Sequence, residues 1–327
     1  METPIRITVL AGGVGGGKFL KGLRLIPDTK LTLIVNNGDD LTIRGLRVCP
    51  DLDSIIYSLG GISDPIRGWG RAGETWSFQS ELAKYLGEDP WFNLGDKDMA
   101  THIFRTMRLS EGTPLHEIVA EQCRVWGIKE KILPATNDFV ETQVQLVEAF
   151  EGKSEMHFQE WWVRHRASLA AKDFVLSGCE SAVPAPEVIE AISDADIILF
   201  APSNPIVSIG MILKIPGVRT ALKEANAPVV GISPIIGGNP ILGMADKCLS
   251  GLGLETSASS VAAIYGARSS GGLLDGWLVA ESDETEISTI RSLGIACDGI
   301  PLLMTDDEAT RVMAQRAIEM ALDRRVH

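Results

Sequence analysis

Short, branched and almost uninterrupted apolar runs at residues 5–10, 31–35, 197–201 and 229–233 have the pattern of strands buried on both faces of a parallel sheet. Each run feeds a loop rich in glycine, asparagine, aspartate or proline: Gly12 to Lys18, Asn36 to Asp40, Pro202 to Ile206 and Pro234 to Asn239. Between the strands, apolar positions spaced three and four apart predict helices at 19–25, 74–86, 100–109, 115–126 and 186–195. This alternation predicts an α/β fold, a Rossmann-like, doubly wound and mainly parallel sheet. In such a sheet, ligands lie where the carboxyl ends of the strands open into a crevice, so the four loops are expected to converge. The stretch 62–172 breaks the pattern. It carries Trp69, Trp76, Trp91, Trp126, Trp161 and Trp162, and its polar–apolar alternation at 140–150 turns at Gly152 and Lys153. It is expected to be a largely helical inserted subdomain with a small hairpin, leaving 1–61 and 173–327 as the core. A last helix opens on the capping box of Thr305 and Glu308 and places Val312, Met313, Ala317, Met320 and Ala321 on one face.

Composition narrows the class. A chain of 327 residues suits about two domains, and 45% hydrophobic with 22% charged residues excludes disordered, collagen-like and coiled-coil proteins. The net charge of −13, without a basic block, excludes nucleic acid as a partner. The apolar run at the N-terminus is too short for a signal peptide or a spanning helix, so a cytoplasmic protein without a membrane partner is expected. The five cysteines show no Cys-x-x-Cys pair and are odd in number, which points to buried free thiols rather than zinc or a disulfide framework.

The loops carry the candidate chemistry. Gly12, Gly17 and Lys18 have the spacing of a P-loop, but Phe19 stands where serine or threonine would ligate Mg²⁺. The dinucleotide fingerprint fails too, because Lys18 occupies the place of its third glycine. Gly12, Gly13, Gly15, Gly16 and Lys18 still suit a phosphate held at a helix N-terminus, with any metal held elsewhere. Acids gather in three tight pairs, Asp39 with Asp40, Asp51 with Asp53, and Asp96 with Asp98. Carboxylates in separate loops of one crevice suit a hard divalent cation that also takes substrate phosphate oxygens, while Asp51 or Asp53 could instead cap the helix they open. Lys97 and His102 add a base and an imidazole near the third pair, where helix capping and packing are the competing readings.

Eight motifs stand in one order: Val9 to Lys18, Asn36 to Asp40, Pro50 to Asp53, Arg67 to Trp76, Trp91 to His102, Met156 to Arg164, Ala201 to Gly210, and Ser233 to Lys247. As a set they resemble the 2-phospho-L-lactate transferase family over nearly the whole chain. The paired tryptophans and the tail at 301–306 look most like its actinobacterial branch. The resemblance implies a transferase of coenzyme F420 biosynthesis with a Rossmann-like core. It would join the deazaflavin Fo to a phosphoenolpyruvyl or 2-phospho-L-lactyl group carried as a guanosine diphosphate conjugate, release GMP, use Mg²⁺ and form a homodimer. Carried over by motif, the Gly12 to Lys18 loop, Ser203, Asn204, Ser233, Gly237 and Gly238 would hold the guanosine diphosphate portion. Asp53, Lys97 and His102 would face Fo. Asp39 and Asp53 are expected to be the metal ligands and catalytic residues, one of them also accepting the hydroxyl proton, with Asp40 and Asp51 in reserve. The alternative is a non-catalytic, nucleotide-sugar-binding regulator of the gluconeogenesis-factor type, which resembles the chain in its glycine loop and double aspartate. That type is expected to differ where this chain has Leu41 to Arg44 and Pro50 to Asp53.

Overall fold

The four apolar runs are strands of one sheet in the computed structural model, which describes residues 3–87 and 90–325. Its strands are β1 (Ile5–Ala11), β2 (Thr29–Val35), β3 (Lys131–Pro134), β4 (Ile197–Phe200), β5 (Val229–Ile232), β6 (Gly276–Ala280) and β7 (Ala296–Ile300). They lie in the order β7-β6-β5-β4-β1-β2-β3, and every pairing is parallel. The chain runs outward from β1 in one direction through β3, then returns to β4 and runs the other way. The reversal leaves a crevice beyond the carboxyl ends of β1 and β4, the topological switch point of an open α/β sheet.

The runs are continuous because both faces are covered. Ile7, Val9, Leu33, Val35, Ile197 and Leu199 pack with Phe19 and Leu23 of α1 (Gly13–Leu23), Leu52 and Ile56 of α2 (Pro50–Leu59), and Met313 and Ala317 of the C-terminal helix (Asp307–Arg325). The alternate side chains Leu10, Ile34, Ile198 and Phe200 join a second core with Val188, Ile212, Leu222 and Val261. The first and last helices meet closely: a Cβ on Gly22 of α1 would lie 2.5 Å from the carbonyl carbon and Cβ of Thr310.

The stretch 62–172 differs in two ways from the expected helical insertion. It does contain α3 (Ser77–Leu86), α4 (Asp96–Ser110) and α5 (Leu115–Val125). It also supplies β3, the edge strand of the central sheet beside β2. Four residues ending in proline, tolerable at an edge, are too short to show a period. The expected hairpin is a three-stranded antiparallel sheet of Lys153–His157, Glu141–Phe150 and Ala171–Ser177, whose third strand runs past residue 172. A strap joins two of these strands through a π-helical turn at Glu160–Arg164, followed by Arg166 and Ala167, both at φ 52°. Trp161 anchors the strap in the core, its Nε1–H donating to the Leu169 carbonyl at 2.8 Å.

All five cysteines are free, and four are buried. Among the described residues no helix is long and apolar enough to cross a membrane.

Candidate active site

Chain reversal at the end of β1 places the glycine loop at the switch point. Gly12 is extended and Gly13 adopts φ +61°, so α1 begins at once with its amino end toward the crevice. There is no room for side chains here: a Cβ on Gly12 would strike the Asp51 carboxylate, and one on Gly15 would come within 2.7 Å of the Pro202 carbonyl oxygen. Ser203 clamps the loop, its Oγ accepting from the Gly12 amide (3.0 Å) and donating to the Gly12 carbonyl (2.8 Å). First-turn amides of a helix have no partner within it, and with the helix dipole and Lys18 they make an anion cradle.

The crevice is a cavity of about 890 Å³. Its polar wall includes Gly12, Gly13, Gly15, Lys18, Asp39, Asp51, Asp53, Tyr57, Asp98, His102, Gln159, Ser203, Asn204, Ser208 and Ser233. Trp69, Phe92, Phe158, Trp162, Ile241, Leu242 and Leu303 give it apolar sides.

Two of the carboxylates form a pair. Asn36 Nδ2 donates to Asp39 Oδ1 at 3.0 Å and to Asp51 Oδ2 at 2.9 Å. Gln159 on the strap donates to the other Asp39 oxygen at 2.9 Å, and Ser208 Oγ donates to Asp51 at 3.2 Å. Burial, then repulsion from Asp51 and Asp40, holds the Asp39 carboxyl well above the usual carboxylate range. Burial raises Asp51 to about 6 against the hydrogen bonds from Asn36, Ser208 and the Gly13 amide. Asp40 lies behind the wall, fully buried beside Arg47 (3.8 Å); its burial outweighs that cation and pushes it up to about 7.

Asp53 does not share in this pair, contrary to expectation. Both of its oxygens are gripped by the fully buried Arg105 of α4, Nη1 at 3.1 Å from Oδ2 and Nη2 on Oδ1. His102 Nδ1 stands 3.7 Å from Asp53, and the Tyr57 hydroxyl donates to Asp98. Burial drives Asp98 upward, but His102, Tyr57 and Arg105 more than offset it and hold the carboxyl below its ordinary value. Asp51, the residue in reserve, is the acid bridged to Asp39, and Asp53 is paired instead with a buried cation 52 positions away.

The remaining expected residues divide. Ser203, Asn204 and Ser233 line the cavity, but Asn204 Oδ1 caps the amides of Ile206 and Val207, and Ser233 Oγ closes its own turn with Ile235. Lys97 lies off the wall, its Nζ donating to the Ala72 carbonyl at 2.9 Å. Gly16 is packed behind the loop against Ser203 and Ala11. Gly237 and Gly238, at φ 58° and 75°, form a tight turn off the wall, and the Gly237 amide is taken by Asp283. Sequence reasoning missed Asn36 as the bridge, and also Tyr57, Arg105, Gln159 and Ser208. Arg105 left one signal: Asp98, His102 and Arg105 fall on one face of a helix, an unusual set for a buried stripe.

The family model described as 2-phospho-L-lactate transferase CofD matches residues 7–319. The chain belongs to this family. The phosphoenolpyruvate transferase of Streptomyces coelicolor is 50% identical over 97% of this chain and 98% of its own. That of Nocardia farcinica is 48% identical over 97% and 95%, and that of Mycolicibacterium smegmatis 46% over 97% and 99%. A solved Bacillus halodurans protein of the UPF0052 family superposes with a TM-score of 0.66 at 17% identity, covering 97% of this chain and 100% of that one, which supports the Rossmann-like α/β fold. The expected activity, that of a transferase in coenzyme F420 biosynthesis, follows from this membership.

Proposed function

We propose that this family member moves a phosphoenolpyruvyl group, or a 2-phospho-L-lactyl group, from its guanosine diphosphate conjugate to the terminal ribityl hydroxyl of Fo, releasing GMP. One observation carries the reading: the anion cradle of α1 and the buried Asp39–Asp51 pair face a single cavity whose other wall bears Asp53, Tyr57 and His102. The relatives named phosphoenolpyruvate transferase favour the phosphoenolpyruvyl donor.

Two desolvated, mutually repelling carboxylates beside a phosphate cradle fit a hard divalent cation, which takes only one or two protein carboxylates and completes its shell with water and phosphate. Among the described residues no larger cluster of metal-ligating side chains is present. Asp39 and Asp51 would hold Mg²⁺, with Gln159 and Asn36 fixing their orientation. Mg²⁺ would neutralise phosphate charge and polarise the phosphorus under attack. The protein's own contribution is placement and proton handling. The α1 amides and Lys18 hold the diphosphate, and the apolar sides exclude water from it. Asp53, held in place by Arg105, accepts the proton as the hydroxyl oxygen bonds to the phosphorus bearing the three-carbon acid and the bond to GMP breaks. The same reading keeps a cytoplasmic homodimer. It is supported by α3, which buries no side chain and exposes Phe78, Tyr85 and Leu86.

The test is incubation with Fo, Mg²⁺ and the guanylated donors. GMP and dehydro coenzyme F420-0 are expected from guanylated phosphoenolpyruvate, and coenzyme F420-0 from guanylated phospholactate. Absence of product from both donors sinks the reading.

A further inference from the structure

The strap over the site turns one face to the cavity. Phe158 and Gln159, then Trp162 and Val163, then Arg166 line it, at steps of one helical turn. Trp161 is buried in the core instead, and Arg164 turns back to Glu160 at 3.0 Å. The lining face starts at the carboxylate pair, where Gln159 donates to Asp39 Oδ2 at 2.9 Å. It ends at Arg166, whose backbone is left-handed at φ 52° and is held there as the next amide, that of Ala167, donates to the Trp161 carbonyl at 2.9 Å. Glycine takes this conformation freely and arginine does not, so a long cationic side chain stands where the backbone alone favours none. Among the described residues the cavity is lined by three basic side chains of lysine or arginine: Lys18, Arg67 and Arg166. Lys18 belongs to the phosphate cradle on α1. Arg67 is engaged: its Nη2 lies 2.9 Å from Asp64 and donates to the Arg71 carbonyl at 2.8 Å, and its guanidinium stands 5.4 and 5.2 Å from the rings of Trp69 and Trp76. Arg166 is exposed and has no hydrogen-bond or ion-pair partner among the described residues.

We propose that Arg166 binds the carboxylate of the donor's three-carbon acid. The donor carries this anionic group in addition to its two phosphates, and the acid hangs from the phosphorus under attack. It therefore enters beside Asp39 and Asp51, where like charges repel it and a cation of its own is needed. A guanidinium fork matches the two carboxylate oxygens and fixes the plane of the acid, which a lone ammonium does not. The lactyl and enolpyruvyl acids share the carboxylate, so Arg166 selects for an acid on the phosphate and not between these two. That the ligand is such a donor rests on the transferase reading.

Calorimetric titration of the full chain with Mg²⁺, in the absence of Fo, compares guanylated phospholactate with its methyl ester, which lacks only the carboxylate charge. The wild type is expected to bind the acid about tenfold or more tighter than the ester. In Arg166→Gly that preference should vanish while the affinity for GDP, which carries no acid, stays within about twofold. Glycine suits φ 52°, so this variant keeps the strap's backbone. If it nevertheless melts below the wild type, Arg166→Gln carries the same expectations. Equal binding of acid and ester by the wild type overturns the proposal, as does a preference that survives in the variant or an equal loss of affinity for GDP. In transfer assays the variant should raise the KM for the guanylated donor about tenfold and that for Fo by less than about twofold; an equal rise in both, or in neither, also overturns it. A wild type that transfers to Fo yet binds acid and ester alike ends the role of Arg166 and leaves the transferase standing. One that prefers the acid through Arg166 yet transfers nothing ends the transferase reading and leaves the carboxylate site; one that binds neither ligand ends both.

Discussion

One side-chain amide, that of Asn36, holds together two carboxylates that would otherwise push each other apart, while the neighbouring Asp53 is held by a cation. The two arrangements predict opposite responses to the same chemical change. Asp39→Asn and Asp51→Asn remove repulsion, so without Mg²⁺ both variants should melt at or above the wild-type temperature, yet lose a factor on the order of 10² in kcat. Asp53→Asn leaves Arg105 buried and uncompensated and should lower stability by about 3–5 kcal/mol in urea unfolding. If all three variants behave alike, the division between them is wrong. The double aspartate after a strand and the acids opening a helix were legible from spacing, because turn residues and short-range order create them. The choice between Asp51 and Asp53 was not legible: it depends on which one a residue of α4 reaches, and nothing local to Pro50–Asp53 records that.

At the scale of elements, the four strands that read clearly are covered on both faces, where burial forbids polar interruptions, whereas the equally buried β6 was not read. β3 and β7 are the sheet's edges, and the sequence Ala-Cys-Asp-Gly-Ile of β7 has no apolar run to read. The strap escaped notice for a related reason. Its conformation is imposed by the anchored Trp161 and by two successive left-handed residues, Arg166 and Ala167, not by local preference. The contact of α1 with the C-terminal helix is close at Gly22. Gly22→Ala should therefore cost about 1–3 kcal/mol, because the atoms it would meet at Thr310 include backbone and cannot swing aside. Denaturant midpoints compared with the wild type measure this, and an unchanged midpoint would mean that the two helices can separate without loss.

For the whole molecule, the buried acids set how stability follows pH. Asp51 at about 6 and Asp40 at about 7 in the folded protein both lie above the carboxyl value of about 4 expected once unfolded. Between these values the folded chain holds more protons than the unfolded one, so stability falls as pH rises from about 4 to about 7. Asp40→Asn should flatten the upper part of that slope in urea titrations at successive pH values, and a slope identical to wild type would remove Asp40 as its source. Mg²⁺, binding ionised carboxylates, should restore stability at the high end. The contact of α1 with the last helix has a further consequence, which concerns time. Gly22 leaves the ribosome long before Thr310, its cover, which lies 288 positions further along the chain. At about 10 residues per second the apolar side of the phosphate-binding helix waits roughly half a minute for its partner. A nascent chain stalled before the helix Asp307–Arg325 would present Phe19, Leu20 and Leu23 without Met313, Ala314 and Ala317 to cover them, so the glycine-loop motif is completed only by a segment made long after it.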